Sequence, residues 1–76
     1  MVDHLDPTPL YEQLADVLAG QIERGELQPR QPLPSETDLG REYGVARRTV
    51  RRALDVLRER GLVVSIERRG TYVADR

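Results

Sequence analysis

The 76-residue sequence predicts a small α+β domain, three helices followed by a C-terminal β-hairpin, and three observations carry that prediction. Apolar residues recur at helical spacing in three separate stretches, glycines and prolines punctuate the ends of those stretches, and after Gly61 the apolar period changes from that of helices to that of strands. A chain this short buries only about 60% of the surface its unfolded form exposes, so it holds one small core. With no cysteine there is neither a disulfide framework nor a thiolate metal site, and apolar packing must stabilise that core, a composition suited to a reducing cytoplasm. The expected organisation is a flexible segment over 1–8 and one folded domain over 9–76.

Thr8-Pro9 reads as a helix start, with a hydroxyl at the cap and a proline where its missing N–H costs nothing. Leu10, Leu14, Leu18 and Ile22, joined by Tyr11 and Val17, then keep helical spacing until Gly25, giving a first helix over roughly Pro9 to Arg24. Pro29 and Pro32 hold the next stretch extended, and Gln31-Pro32-Leu33 is at most an edge strand. Ser35 caps a second helix, with Asp38 three residues on making a weaker form of the capping box. That helix lasts to about Tyr43, because Gly44 is suited to the left-handed conformation that ends it and turns the chain. A third helix over roughly Arg47 to Arg60 carries the stripe Val50, Ala53, Leu54 and Leu57 and closes at Gly61. Leu62 to Ile66, a charged turn at Glu67-Arg68-Arg69-Gly70, and Thr71-Tyr72-Val73 complete a hairpin. Helix, short strand, helix, turn, helix, hairpin is the order of a winged helix-turn-helix, and no internal repeat competes with it.

The net charge of −1 conceals an uneven distribution. Residues 1–45 hold nine acids against Arg24, Arg30 and Arg41, whereas residues 46–76 hold nine arginines against Asp55, Glu59, Glu67 and Asp75. A basic half of this kind is the footprint of a surface that meets a polyanion. Codon bias in a GC-rich genome would account for Arg rather than Lys at every such position, but not for the segregation.

At 100° per residue, Val50, Ala53, Leu54 and Leu57 fall on one side of the third helix and Arg47, Arg48, Arg51 and Arg52 on the other. Four guanidinium groups in two turns repel one another, and an external anion is the natural compensation. The helix follows a short turn containing Gly and is basic at its N-terminal end, the end that enters the major groove in helix-turn-helix proteins. Arg suits that task because its rigid fork bonds guanine O6 and N7 together. Arg47 and Arg51, one turn apart, are the expected base readers, with Arg48, Arg52 and Thr49 on flanking phosphates. Ser35 has two readings, as a cap alone or as the cap of a helix start that presents N–H groups to a phosphate. Arg68 and Arg69 at the hairpin tip are placed to reach an adjacent minor groove or backbone. Tyr11, Tyr43 and Tyr72 read as core or boundary aromatics, since three scattered rings make a poor single-strand platform.

The runs Leu33-Pro34-Ser35-Glu36, Tyr43-Gly44-Val45, Arg47-Arg48-Thr49-Val50-Arg51-Arg52-Ala53-Leu54, Gly61-Leu62-Val63 and Gly70-Thr71-Tyr72-Val73 resemble, in order and spacing, the DNA-binding domain of GntR-family bacterial transcription regulators. The resemblance covers roughly residues 9–74, and Pro9-Leu10-Tyr11 with Gln13-Leu14 is most similar to the HutC and YtrA branches. It implies that Arg47, Thr49 and Arg51 contact DNA, that the wing, with Gly70 and Thr71, approaches the minor groove, and that two copies bind an inverted-repeat operator as a repressor. Three positions depart from the family pattern: Thr37 replaces a DNA-contacting Arg, Ala46 a capping Ser or Thr, and Arg68 the first Gly of the wing. The family's regulators also carry a C-terminal effector-binding or dimerising domain, so the chain is expected to be either an excised domain or a naturally minimal protein.

Other function classes find little support. One histidine, no cysteine, no carboxylate cluster in an apolar surround and no Gly-rich phosphate loop leave nothing to serve as nucleophile, base and oxyanion donor, so no enzyme, cofactor or metal site is expected. No apolar run exceeds three residues, as in Leu62-Val63-Val64, and Met1 to Pro7 lacks a signal pattern, so no membrane partner is expected and the cytoplasm is the expected location. The competing reading is a winged helix used as a protein-interaction module, docking through the acidic face of Glu12, Asp16 and Glu23. The isolated chain is expected to be monomeric.

Overall fold

Three helices lead into an antiparallel hairpin in the computed structural model, which describes residues 2–75: α1 (Leu10–Glu23), α2 (Glu36–Tyr43), α3 (Arg47–Glu59), β1 (Val63–Ile66) and β2 (Gly70–Val73). This is the α+β winged arrangement the sequence predicts. Met1 and Arg76, the outer ends of the expected segments 1–8 and 9–76, lie outside the described residues. Helix bounds agree with expectation to within a residue, as fraying ends allow.

The start of α1 differs in kind. Pro9, not Thr8, is the capping residue, and it makes no side-chain cap. Asp6 accounts for the change, because its carboxylate accepts the Thr8 N–H at 2.8 Å and folds that residue into a turn of its own. That bond, made first of all through the Thr8 backbone, holds the Asp6 carboxyl below its ordinary value. The Pro9 carbonyl accepts instead from Glu12 and Gln13, and the Gln13 side chain reaches back to the carbonyls of Thr8 and Asp3. Residues 2–8, which the sequence leaves without contacts, thus touch the body at several points: Asp3 N–H donates to Gln13 Oε1 at 2.7 Å, and His4 Nε2 lies 3.0 Å from the Gly44 carbonyl oxygen.

The expected helix-turn-helix follows from local chemistry. Ser35 Oγ accepts the Asp38 N–H at 3.0 Å and starts α2. Gly44, at φ 67°, takes the left-handed conformation that ends it. Gly40 matters as well, since a Cβ there would stand 2.8 Å from the Val45 carbonyl oxygen. Its bare backbone lets the turn fold tightly under α2, with the Val45 N–H bonded to the Gly40 carbonyl.

The expected stripe Val50, Ala53, Leu54 and Leu57 turns α3 inward, where it packs across α1 and beneath α2. Leu14, Leu18, Leu39 and Leu57 are fully buried, each a burial worth about 1.5–3 kcal/mol. Val63 and Val73, paired across the hairpin, close the core from below.

β1 and β2 pair in the register Val63↔Val73 to Ile66↔Gly70, joined by a turn of Glu67, Arg68 and Arg69. Arg68 sits at φ 68°, a left-handed conformation that costs a residue with a Cβ about 1–2 kcal/mol and that glycine takes freely. The edge strand expected at Gln31-Pro32-Leu33 is a single bridge, Pro32↔Tyr72. The Leu33 N–H donates to the Thr71 carbonyl and the Val73 N–H to the Gln31 carbonyl, so Pro32 occupies the position that gives β2 no bond. No helix among the described residues is long and apolar enough to cross a membrane.

Candidate nucleic-acid interface

Because α3 buries only one stripe, its other face projects Arg47, Arg48, Arg51 and Arg52 into solvent, all four exposed, with Thr49 half-buried between them. How these charges are compensated divides the helix. Toward its C-terminal end each arginine has its own acid: Arg58 pairs with Asp55 and also donates to Ser65 Oγ at 2.6 Å, and Arg60 pairs with Asp16 of α1 at 3.3 Å. Toward the N-terminal end one carboxylate serves two cations. Glu36 Oε1, in the first turn of α2, accepts from Arg51 Nε at 3.0 Å and from Arg47 Nη2 at 3.4 Å.

Arg48, Arg52, Arg68 and Arg69 have no carboxylate partner among the described residues. Arg52 lies instead over the Tyr11 ring, with its guanidinium carbon 4.2 Å from the centroid. That contact uses none of its N–H donors, which stay available to an acceptor. Ala46 precedes α3 without a side-chain cap, so the first-turn N–H groups open at the same end as the arginines.

The wing joins this surface through a groove lined by Ser35 and Glu36 on one side and Arg69, Gly70 and Thr71 on the other, with Leu33 and Leu54 at its floor. Arg68, Arg69 and Gly70 are exposed and Thr71 is half-buried. Of the residues singled out in the sequence, Ser35, Arg69, Gly70 and Thr71 meet across this groove, and Glu36 on its wall joins them to Arg47 and Arg51, whereas Arg52 lies toward Tyr11 of α1 and Arg48 and Arg68 are exposed without such contacts. Thr37 is exposed, one residue beyond Glu36.

Two members of this face escape sequence reasoning. Glu36 meets Arg47 and Arg51 across separations of 11 and 15 residues, and Tyr11 meets Arg52 from a different helix, so no local period signals either contact. Tyr11 reads in the sequence as a boundary aromatic, and it is half-buried, but its outer side carries a cation.

The chain is similar in sequence and in fold to known proteins. Residues 10–73 match the model of the family "Bacterial regulatory proteins, gntR family". The chain is 42% identical over 73 residues to the HTH-type transcriptional repressor NagR of Bacillus subtilis (strain 168), a match covering 96% of this chain and 30% of NagR. YtrA from Sulfolobus acidocaldarius, a GntR-family transcription factor, has a similar structure with a TM-score of 0.91 at 34% identity, over 100% of this chain and 80% of that one. AraR(DBD) in complex with operator ORR3 gives a TM-score of 0.80 at 36% identity, over 84% of this chain and 77% of that one. The chain thus spans about 30% of the length of NagR.

Proposed function

This chain belongs to the gntR family of bacterial regulatory proteins, and from that membership we propose that it binds duplex DNA sequence-specifically as the reading head of a cytoplasmic transcriptional repressor. The observation that carries the reading is the undercompensated arginine face: of four exposed guanidinium groups on the first two turns of α3, Arg47 and Arg51 share one carboxylate and Arg48 and Arg52 have none among the described residues, while the arginines at the other end of the helix are individually paired. A polyanion supplies the missing counter-charge. The solved AraR domain in complex with an operator supports the same use of a similar fold.

In this reading α3 lies in the major groove, with Arg47 and Arg51 reading bases and Arg48, Arg52 and Thr49 on flanking phosphates. Ser35 holds the α2 start against the backbone, and Arg68, Arg69, Gly70 and Thr71 bring the wing to the minor groove. In the same reading one copy reads one half-site and two copies read an inverted repeat. Alone, the chain is monomeric in solution. Titration with duplexes selected from a random pool, at two salt concentrations, tests the proposal. The two arginine–phosphate contacts of α3, Arg48 and Arg52, give a logarithmic salt slope of about −2. Absence of any duplex binding would overturn the reading and favour a protein-interaction module.

A further inference from the structure

Resting on the DNA-binding reading above, the geometry points to Glu36 as a positioning residue that sets sequence specificity by holding the Arg51 guanidinium for a guanine. Glu36 is half-buried in the first turn of α2, directly after the residue that caps that helix, so its carboxylate has a fixed origin. It accepts the Nε–H of Arg51 at 3.0 Å. An arginine guanidinium carries five N–H donors, and occupying Nε leaves the end formed by the two terminal nitrogens free. That end carries the pair of parallel N–H groups that matches guanine O6 and N7. Arg47 gives one of its terminal nitrogens to the same oxygen at the longer distance of 3.4 Å, a weaker hold than the one on Arg51. One carboxylate therefore treats the two arginines differently: Arg51 is presented end-on, and Arg47 is held beside it.

The charge of Glu36 works in the same direction. A carboxylate on a face that meets phosphates repels them, so binding to an arbitrary sequence is weakened. In the matched complex, the guanine contact made by the oriented Arg51 offsets that repulsion. Glu36 thus favours the correct duplex over others by both attraction and repulsion.

The test compares Glu36→Ala and Glu36→Gln with the unsubstituted chain on two probes: a duplex recovered by the unsubstituted chain from a randomised pool, and a shuffled duplex of the same length and composition. Glu36→Ala is expected to bind the selected duplex at least about tenfold more weakly and the shuffled one equally or more tightly, with an unchanged melting temperature. Glu36→Gln keeps an oxygen that accepts from Arg51 Nε and is expected to recover part of the lost specificity ratio. In an Arg51→Ala background, Glu36→Ala should change that ratio by less than about twofold, since the residue it positions is gone. An unchanged ratio in Glu36→Ala would overturn the inference. So would an equal gain on both duplexes, which marks a charge brake alone, or an equal loss with a lowered melting temperature, which marks a structural role. If the unsubstituted chain binds no duplex, the DNA-binding reading fails, and this inference with it.

Discussion

The guanidinium of Arg52 stacks on the ring of Tyr11, 4.2 Å from its centroid, and so ties the basic face of α3 to the first turn of α1. The stack orders a side chain that otherwise loses rotamer freedom when it meets a phosphate. Tyr11→Phe, which keeps the ring, should leave DNA affinity within about twofold, whereas Tyr11→Leu should lower it about two- to fivefold, the range of an exposed cation–π contact. Equal affinities for the two variants would show that the stack plays no part in binding.

Arg51→Ala is expected to cost about 1–3 kcal/mol of specific binding and to relax preference at one base pair. Arg47→Ala should behave similarly, with the smaller effect of the two because Glu36 holds its guanidinium at a longer distance and so orients it less firmly. Both arginines are exposed, so melting temperatures should not move. Full affinity and full preference in either variant would remove that residue from the base-reading pair.

At Thr37, exposed on the first turn of α2, Thr37→Arg should add one phosphate contact and steepen the salt dependence by about 0.9 in logarithmic slope. Stability should change by no more than about 0.5 kcal/mol, since a surface helix position accepts Arg slightly better than Thr. If salt slope and affinity both stay at their starting values, α2 does not approach the backbone at that point.

Gly40→Ala sets two effects against each other. Alanine gains about 1 kcal/mol of helix propensity over glycine. Its Cβ, however, would stand 2.8 Å from the Val45 carbonyl oxygen, a backbone atom that moves only if the turn opens. The clash should win, with a net destabilisation of about 1–3 kcal/mol in denaturant unfolding. Undiminished stability would mean that the turn has slack.

Burial pushes the Tyr43 phenol above its ordinary value, against the opposing effect of its hydrogen bond with Gln21 at 3.3 Å. The folded state therefore holds the phenolic proton more tightly than the unfolded chain. The resulting contribution to stability is fully present below the unfolded value of about 10 and is lost as pH rises from there through the raised folded value. Unfolding measured across that alkaline window should show a decline that Tyr43→Phe reduces. An identical decline in the phenylalanine variant would assign it to other groups.

What the sequence makes legible follows from the range of the interaction. Ser35 as a cap and Gly44 as a left-handed terminator act within a few residues, and both appear where the sequence places them. The arginine face is equally legible, because a helix of known apolar stripe fixes its opposite side. Thr8 failed as a cap because Asp6, two residues away, competes for its backbone, a choice between two local patterns that periodicity does not rank. Glu36, Tyr11 and Gly40 owe their importance to approaches between elements, which exist only once α1, α2 and α3 are packed.

Pro32, facing Tyr72 from beside β2, also shapes the margin of the small sheet. At that position its nitrogen and carbonyl point outward, away from β2, and the nitrogen carries no hydrogen. An extended segment from another molecule arriving along this margin would find no donor there to begin a ladder. The proline thus acts as a guard against strand recruitment and aggregation through the side of the wing that faces the α1–α2 connection.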